Sequence, residues 1–184
     1  MNKHIMIDIE TLGKGDRSVI ASVGAVAFDK HNNNLREIYQ EYCIQSQLNM
    51  GRTVDASTLQ WWQEQETSLP LNGCELESNL MDLHAFIDDH KPPQEANTDD
   101  CDQEDVLYVW AHGVTFDIVK LQSLFSEAYN YVPWEHWQIM DLRTLVQLWP
   151  TPKEDRKKNN HNALDDAKNQ VEWILKINEK LDFL

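Results

Sequence analysis

Residues 4–12, HIMIDIETL, alternate like a β-strand: Ile5, Ile7 and Ile9 share one face, and His4, Met6, Asp8 and Glu10 share the other. A turn at Gly13–Gly15 leads to a second apolar run, VIASVGAVAF (19–28). HNNN (31–34) is a strong turn signal, and LREIYQEYCIQ (35–45) alternates like a third strand. Short turns between the three predict an antiparallel meander. The period then changes. DASTLQWWQEQ (55–65) predicts a helix capped by Asp55, with Leu59 and Trp62 on one face. ELESNLMDLHAFIDD (75–89) spaces Leu76, Leu80, Leu83 and Ile87 at helical intervals. VLYVWAH (106–112) predicts a fourth strand and TFDIVKLQSLFSEAY (115–129) an amphipathic helix. WQIMDLRTLVQLW (137–149) predicts a short strand and a helix capped near Asp141, and HNALDDAKNQVEWILKINEKL (161–181) a long closing helix. KPPQEANTDDCDQED (91–105) is an acidic loop and TPKEDRKKNN (151–160) a charged one. The order predicts one α/β domain over residues 1–184, with a central mixed sheet, its first three strands antiparallel, and helices packed on it.

Composition narrows the partners. The net charge is −15, from 31 acidic and 16 basic residues. Such a surface repels nucleic acid and anionic membranes, so a polyanion has to be held locally, by metal ions or a small basic patch. Cys43, Cys74 and Cys101 are odd in number and far apart, which indicates neither a disulfide framework nor a zinc site and fits a reducing, cytoplasmic setting. No stretch approaches the ~18 apolar residues of a membrane span.

Asp8 and Glu10 are the anomaly. Asp is disfavoured in strands, and two neighbouring buried carboxylates repel each other. A divalent cation with a taste for hard oxygen, Mg²⁺ or Mn²⁺, removes the conflict; a solvated polar face on an edge strand is the plainer alternative. Asp117 follows the strand-to-helix turn YVWAHGVTFD, where an acidic residue in a first helical turn is also common for electrostatic reasons. His161 and Asp166 are five positions apart in HNALDDA, so they converge only if His161 precedes or caps the helix. Measured from the apolar stripe Ala163, Ala167, Val171 and Ile174, Asp166 falls at roughly 110° and Asp165 at roughly 150°, which favours Asp166 at a cleft edge.

Taken together, Asp8-x-Glu10, the HGxTFD turn with Asp117, and His161-x₄-Asp166 resemble the three motifs of the DEDDh class of 3′–5′ exonucleases. The similarity runs along nearly the whole chain, through MIDIETLG, WWQEQ, AHGVTFDIVKL, MDLRTL and HNALDDA in the family's order. It is closest to a branch that includes tailed-phage exodeoxyribonucleases and small bacterial exoribonucleases. The resemblance implies a ribonuclease H-like fold with helices on both faces of the sheet. It implies two Mg²⁺ or Mn²⁺ ions on Asp8, Glu10, Asp117 and Asp166, and His161 as general base. It also implies a single-stranded DNA or RNA 3′ end as substrate, released as nucleoside 5′-monophosphates. Thr11 and Leu12 should line the terminal nucleotide, and Trp61 and Phe116 are candidates for base stacking, with Trp62 as readily a core residue. Lys153, Arg156, Lys157 and Lys158, just before His161, offer phosphate contacts. Where many members carry Thr-Thr-Gly after the Glu, this chain has Thr11-Leu12-Gly13, a departure at the nucleotide pocket and not in the metal chemistry. Relatives are often dimers, so a homodimer stays open. The competing readings are a nucleic-acid or nucleotide-binding module that kept the fold without catalysis, and an acidic mimic of DNA.

Overall fold

The computed structural model describes residues 3–31, 36–65, 67–92, 106–149 and 161–184. Five strands form one sheet in the order β3-β2-β1-β4-β5: β1 (Lys3–Thr11), β2 (Ile20–Phe28), β3 (Arg36–Glu41), β4 (Leu107–Ala111) and β5 (Ile139–Asp141). β1 to β3 pair antiparallel, while β4 lies parallel to β1 and β5 parallel to β4. The expected mixed sheet with an antiparallel meander is what forms.

The helices are α1 (Ile44–Asn49), α2 (Ala56–Gln63), α3 (Glu77–Asp88), α4 (Asp117–Tyr129), α5 (Leu142–Leu148) and α6 (Ala163–Leu181), with a 3₁₀ turn at His136–Gln138. Both faces of the sheet are covered, and every residue of β2 is buried. On one face Ile5, Ile7 and Ile9 meet Leu80, Leu83 and Ile87 of α3 and Ile118, Leu121 and Phe125 of α4. On the other, Met6, Val26 and Trp110 meet Val146 of α5 and Ala167, Val171 and Ile174 of α6. This is the α/β, ribonuclease H-like arrangement. Among the described residues no helix is long and apolar enough to cross a membrane.

Two local expectations change. The third strand stops at Glu41, and the chain turns into α1 where continued strand was expected. Gln47 explains the turn: its buried amide accepts from the Ile20 N–H (2.9 Å) and donates to the Ile20 carbonyl (2.7 Å), substituting for a strand neighbour at the start of β2. Asp55 sits at the N-cap of α2, but its side chain makes no cap bond; it accepts from the Lys14 N–H (2.8 Å) instead and so pins the turn after β1. Gly13 leaves room in that turn: a Cβ there would stand 2.5 Å from Ser18 Oγ and 3.0 Å from Asp55 Oδ2, and those side chains would have to shift. Asp141 does cap α5, accepting from the Thr144 N–H. The HNNN turn lies mostly, the acidic 91–105 loop largely, and the 151–160 loop wholly outside the described residues.

Candidate active site

β1 runs down the middle of the sheet and carries Asp8 and Glu10 on the face covered by α6. Its register sets Asp8 opposite Gly24 and Glu10 opposite Ser22, and a β-bulge follows between Glu10 and Thr11. Such bulges re-aim side chains at the end of a ladder. The Gly24 position lets α6 come close: a Cβ there would lie 2.3 Å from the backbone of Ala163 and Leu164. The first turn of α6 is thereby laid directly over the carboxylates of β1.

α6 opens with Asn162, whose side chain accepts from the Leu164 and Asp165 N–H groups (3.1 Å each). His161 lies just outside the helix, at φ 50°, a left-handed conformation that is uncommon for a non-glycine residue. Asp166 is 2% exposed and Asp165 is on the solvent side, as the helical wheel expects. Donor atoms of Glu10, His161 and Asp166 all lie within 4.8 Å of one another.

Asp117 comes from the turn between β4 and α4. The Phe116 and Asp117 N–H groups donate to the Gly113 carbonyl (2.7 and 2.9 Å), and the Gly113 N–H donates back to Asp117 Oδ2 (3.2 Å). The closed turn buries Asp117 and aims it at the strand carboxylates, whose charges it feels. Phe116 stays at the surface, with the Lys120 ammonium 3.2 Å from its ring centre.

The electrostatics follow from this convergence. Burial, then Asp117 and Glu10, push the Asp8 carboxyl well above the usual range, against the hydrogen bond from Gln170. Burial, then Asp166 and Asp117, raise Glu10 to about 8. Burial raises Asp117 to about 7, opposed by the Gly113 N–H, Lys120 and Arg143. Like charge and desolvation thus outweigh the neighbouring donors, which is the condition a bound cation relieves. Burial lowers the pKa of the His161 imidazole, which favours its neutral form.

A cavity of about 430 Å³ opens beside this cluster, lined by Glu10, Thr11, Lys14, Trp61, Trp62 and Phe116 among others. Trp61 is 39% exposed and stands edge-on to His161, ring centres 4.8 Å apart. Trp62 is buried and donates from Nε1 to the Thr11 carbonyl (3.0 Å), so it braces the wall. The Thr11 hydroxyl donates to the Gly13 carbonyl.

Leu12 faces inward. It does not line the cavity; its side chain packs with Val19, Ala21 and Trp62, its N–H donates to Val19 and its carbonyl accepts from Asp55. Both backbone groups and the side chain are used in holding the turn. Lys153, Arg156, Lys157 and Lys158 lie outside the described residues. Two site residues escape a motif reading, Gly24 and Gln170. Gly24 declares itself only through strand register, whereas Gln170 had a signal, standing one helical turn after Asp166.

Residues 3–178 match the family described as the 3′–5′ exoribonuclease Rv2179c-like domain. The crystal structure of cell-death related nuclease 4 is similar in fold, with a TM-score of 0.53 at 9% identity over 96% of this chain. The chain spans 64% of the length of that nuclease. No curated protein sequence matches the chain. The match over 3–178 places the chain in the Rv2179c-like 3′–5′ exoribonuclease domain family.

Proposed function

We propose that residues 1–184 act as one metal-dependent exonuclease domain that removes nucleoside 5′-monophosphates from the 3′ end of single-stranded nucleic acid, with RNA favoured by the family's description. One observation carries this reading. Asp8, Glu10, Asp117 and Asp166, delivered by a strand and two helices, lie close enough to feel one another's charge, Glu10 and Asp166 converge with His161, and Glu10 also lines a cavity whose volume suits a small ligand.

The four carboxylates are hard oxygen donors, mutually repelling and partly desolvated, and this donor set fits two Mg²⁺ or Mn²⁺ ions. Bound there, divalent cations supply Lewis-acid stabilisation of phosphate charge and acidify a water molecule. The chain's own residues do the rest. His161, whose neutral form burial favours, takes the proton of the attacking water as general base. The bond broken is that between the phosphorus and the 3′ oxygen of the penultimate nucleotide. Trp61 and Phe116 flank the cavity and receive the terminal base, a sequence-tolerant mode of binding. Thr11 borders the same nucleotide and Lys14 offers a cation there. Leu12 acts through the turn it anchors. The ions and Lys14 together answer how a chain of charge −15 holds a polyanion.

The test uses 5′-labelled single-stranded DNA and RNA of one sequence, with Mn²⁺, Mg²⁺ or EDTA, beside Asp8→Ala. A metal-dependent ladder shortening from the 3′ end, absent in the variant, is the expected result, and its rate on each strand reads the sugar preference. Intact substrates with a folded protein in either metal would replace catalysis with binding.

A further inference from the structure

Gln170 has no place in the motifs, yet it makes a short contact to one of the four carboxylates. Its Nε2 donates to Asp8 Oδ1 at 2.6 Å. It is 4% exposed, in the stretch of α6 that otherwise buries Ala167, Val171 and Ile174. An apolar residue there would continue the buried stripe of the helix. The amide instead leaves its Oε1 buried with no hydrogen-bond partner, a costly arrangement in a protein interior. The polar residue is therefore not explained by packing. What it does provide is a hold on Asp8.

We propose that Gln170 is a positioning residue for the metal site: its amide fixes the rotation of the Asp8 carboxylate through Oδ1 and leaves Oδ2 as the oxygen available to a cation. The inference rests on the metal-dependent reading above. The residue type suits the task. An ionised carboxylate only accepts hydrogen bonds, so the amide nitrogen must face it. A neutral donor orients the carboxylate, whereas Lys or Arg at this position would add a positive charge that competes with the metal ion. Gln170 stands one turn beyond Asp166, so a single helix delivers one carboxylate and steadies another. Partners of this kind, which orient ligands without touching the ion, typically change metal affinity or activity by about 10–100-fold when removed.

The test is Gln170→Met, of similar length and without a donor, compared with wild type in three measurements. These are Mn²⁺ affinity by electron paramagnetic resonance of the free ion, thermal melting of the metal-free protein, and oligonucleotide turnover at limiting and saturating Mn²⁺. We expect Mn²⁺ affinity to fall about 10–100-fold. Melting without metal should hold or rise, kcat should recover as Mn²⁺ saturates, and KM for the oligonucleotide should stay unchanged. If Gln170→Met does not fold, Gln170→Asn carries the test, since its shorter amide cannot reach Asp8, and it must show the same loss. Wild-type binding with a variant affinity within twofold overturns this inference alone. A wild-type protein that binds no Mn²⁺ overturns the metal-dependent reading along with it.

Discussion

The two faces of β1 are made from alternate residues of one strand, and they follow opposite rules. Toward α3 and α4, Ile5, Ile7 and Ile9 are between 0 and 4% exposed and form the centre of the larger core. Toward α6 the sequence is His4, Met6, Asp8 and Glu10, apolar packing at one end and crowded carboxylates at the other. A strand tolerates such a face only because its other face and its two neighbours hold it in place. Stability is thus carried by the isoleucines, and the carboxylates are free to be arranged against their own electrostatic preference, as their raised proton affinities register.

Substitutions on the two faces should separate cleanly. Asp8→Ala should lower turnover on the order of 10⁴-fold, the scale seen when one member of a concerted site is removed. Its metal-free thermal melting should not fall, since a repelling buried carboxylate is gone. Ile7→Ala should do the reverse, costing about 2–5 kcal/mol of stability by opening a cavity while turnover per folded molecule survives. Melting curves and turnover for both variants check this division; an Asp8→Ala protein that unfolds would erase it.

The next effect in size concerns His161. Its alanine variant should lose ~10²–10⁴-fold in kcat, the usual contribution of a general base. Mn²⁺ affinity should persist, because the carboxylates remain. His161 also lies within 4.8 Å of Glu10 and Asp166, so its imidazole is close enough to be a ligand instead. A Mn²⁺ titration of the variant discriminates the roles: affinity that drops with kcat makes His161 a ligand and not the base.

The contrast also explains what could be seen in the sequence. Both faces of β1 were legible, because period-2 alternation is strong and carboxylates in a strand are conspicuous. The burial of Asp166 and the exposure of Asp165 were legible for the same reason, with a helical period. α1 was not, because IQSQLN alternates as well as REIYQE does, and only the pairing of Gln47 with Ile20 decides between them. The inward packing of Leu12 was not legible, because the bulge between Glu10 and Thr11 breaks the alternation just before it. Gly24 depends on register, which no local pattern encodes.

The sealed end of the α6 face offers a prediction in pH. His4 is 3% exposed, stacked against Phe28 and Tyr108, and its Nδ1 accepts from Trp110 Nε1 (3.1 Å). Burial lowers its pKa to about 4, opposed by Asp29. The unfolded chain takes up this proton near 6.5 and the folded one near 4, so the stability from neutral His4 is complete above 6.5 and lost as pH falls between the two. The loss is on the order of 3 kcal/mol. Comparing denaturant unfolding of wild type and His4→Phe from pH 7 to 4 isolates it, because the acidic cluster titrates alike in both. Parallel curves would mean that His4 is protonated in the fold.

The same comparison repeats inside one helix. Trp61 and Trp62 are adjacent, but helical geometry turns them roughly 100° apart. Trp62 goes inward, 4% exposed, with its Nε1 on the Thr11 carbonyl; Trp61 stays 39% exposed at the cavity, beside His161. Identical substitutions should therefore report different quantities. Trp61→Ala should weaken oligonucleotide binding by about 1–3 kcal/mol, the value of one base stacked on an aromatic ring, with melting nearly unchanged. That loss should appear in KM more than in kcat if the ring only holds the terminal base. Trp62→Ala should instead cost about 3–5 kcal/mol of stability, because it empties a core site and leaves the Thr11 carbonyl without its indole donor. Steady-state kinetics and thermal melts of the pair decide the matter. If Trp61→Ala lowers kcat with KM unchanged, the ring serves chiefly to orient His161, and the base must stack elsewhere, with Phe116 the remaining aromatic exposed in the cavity wall.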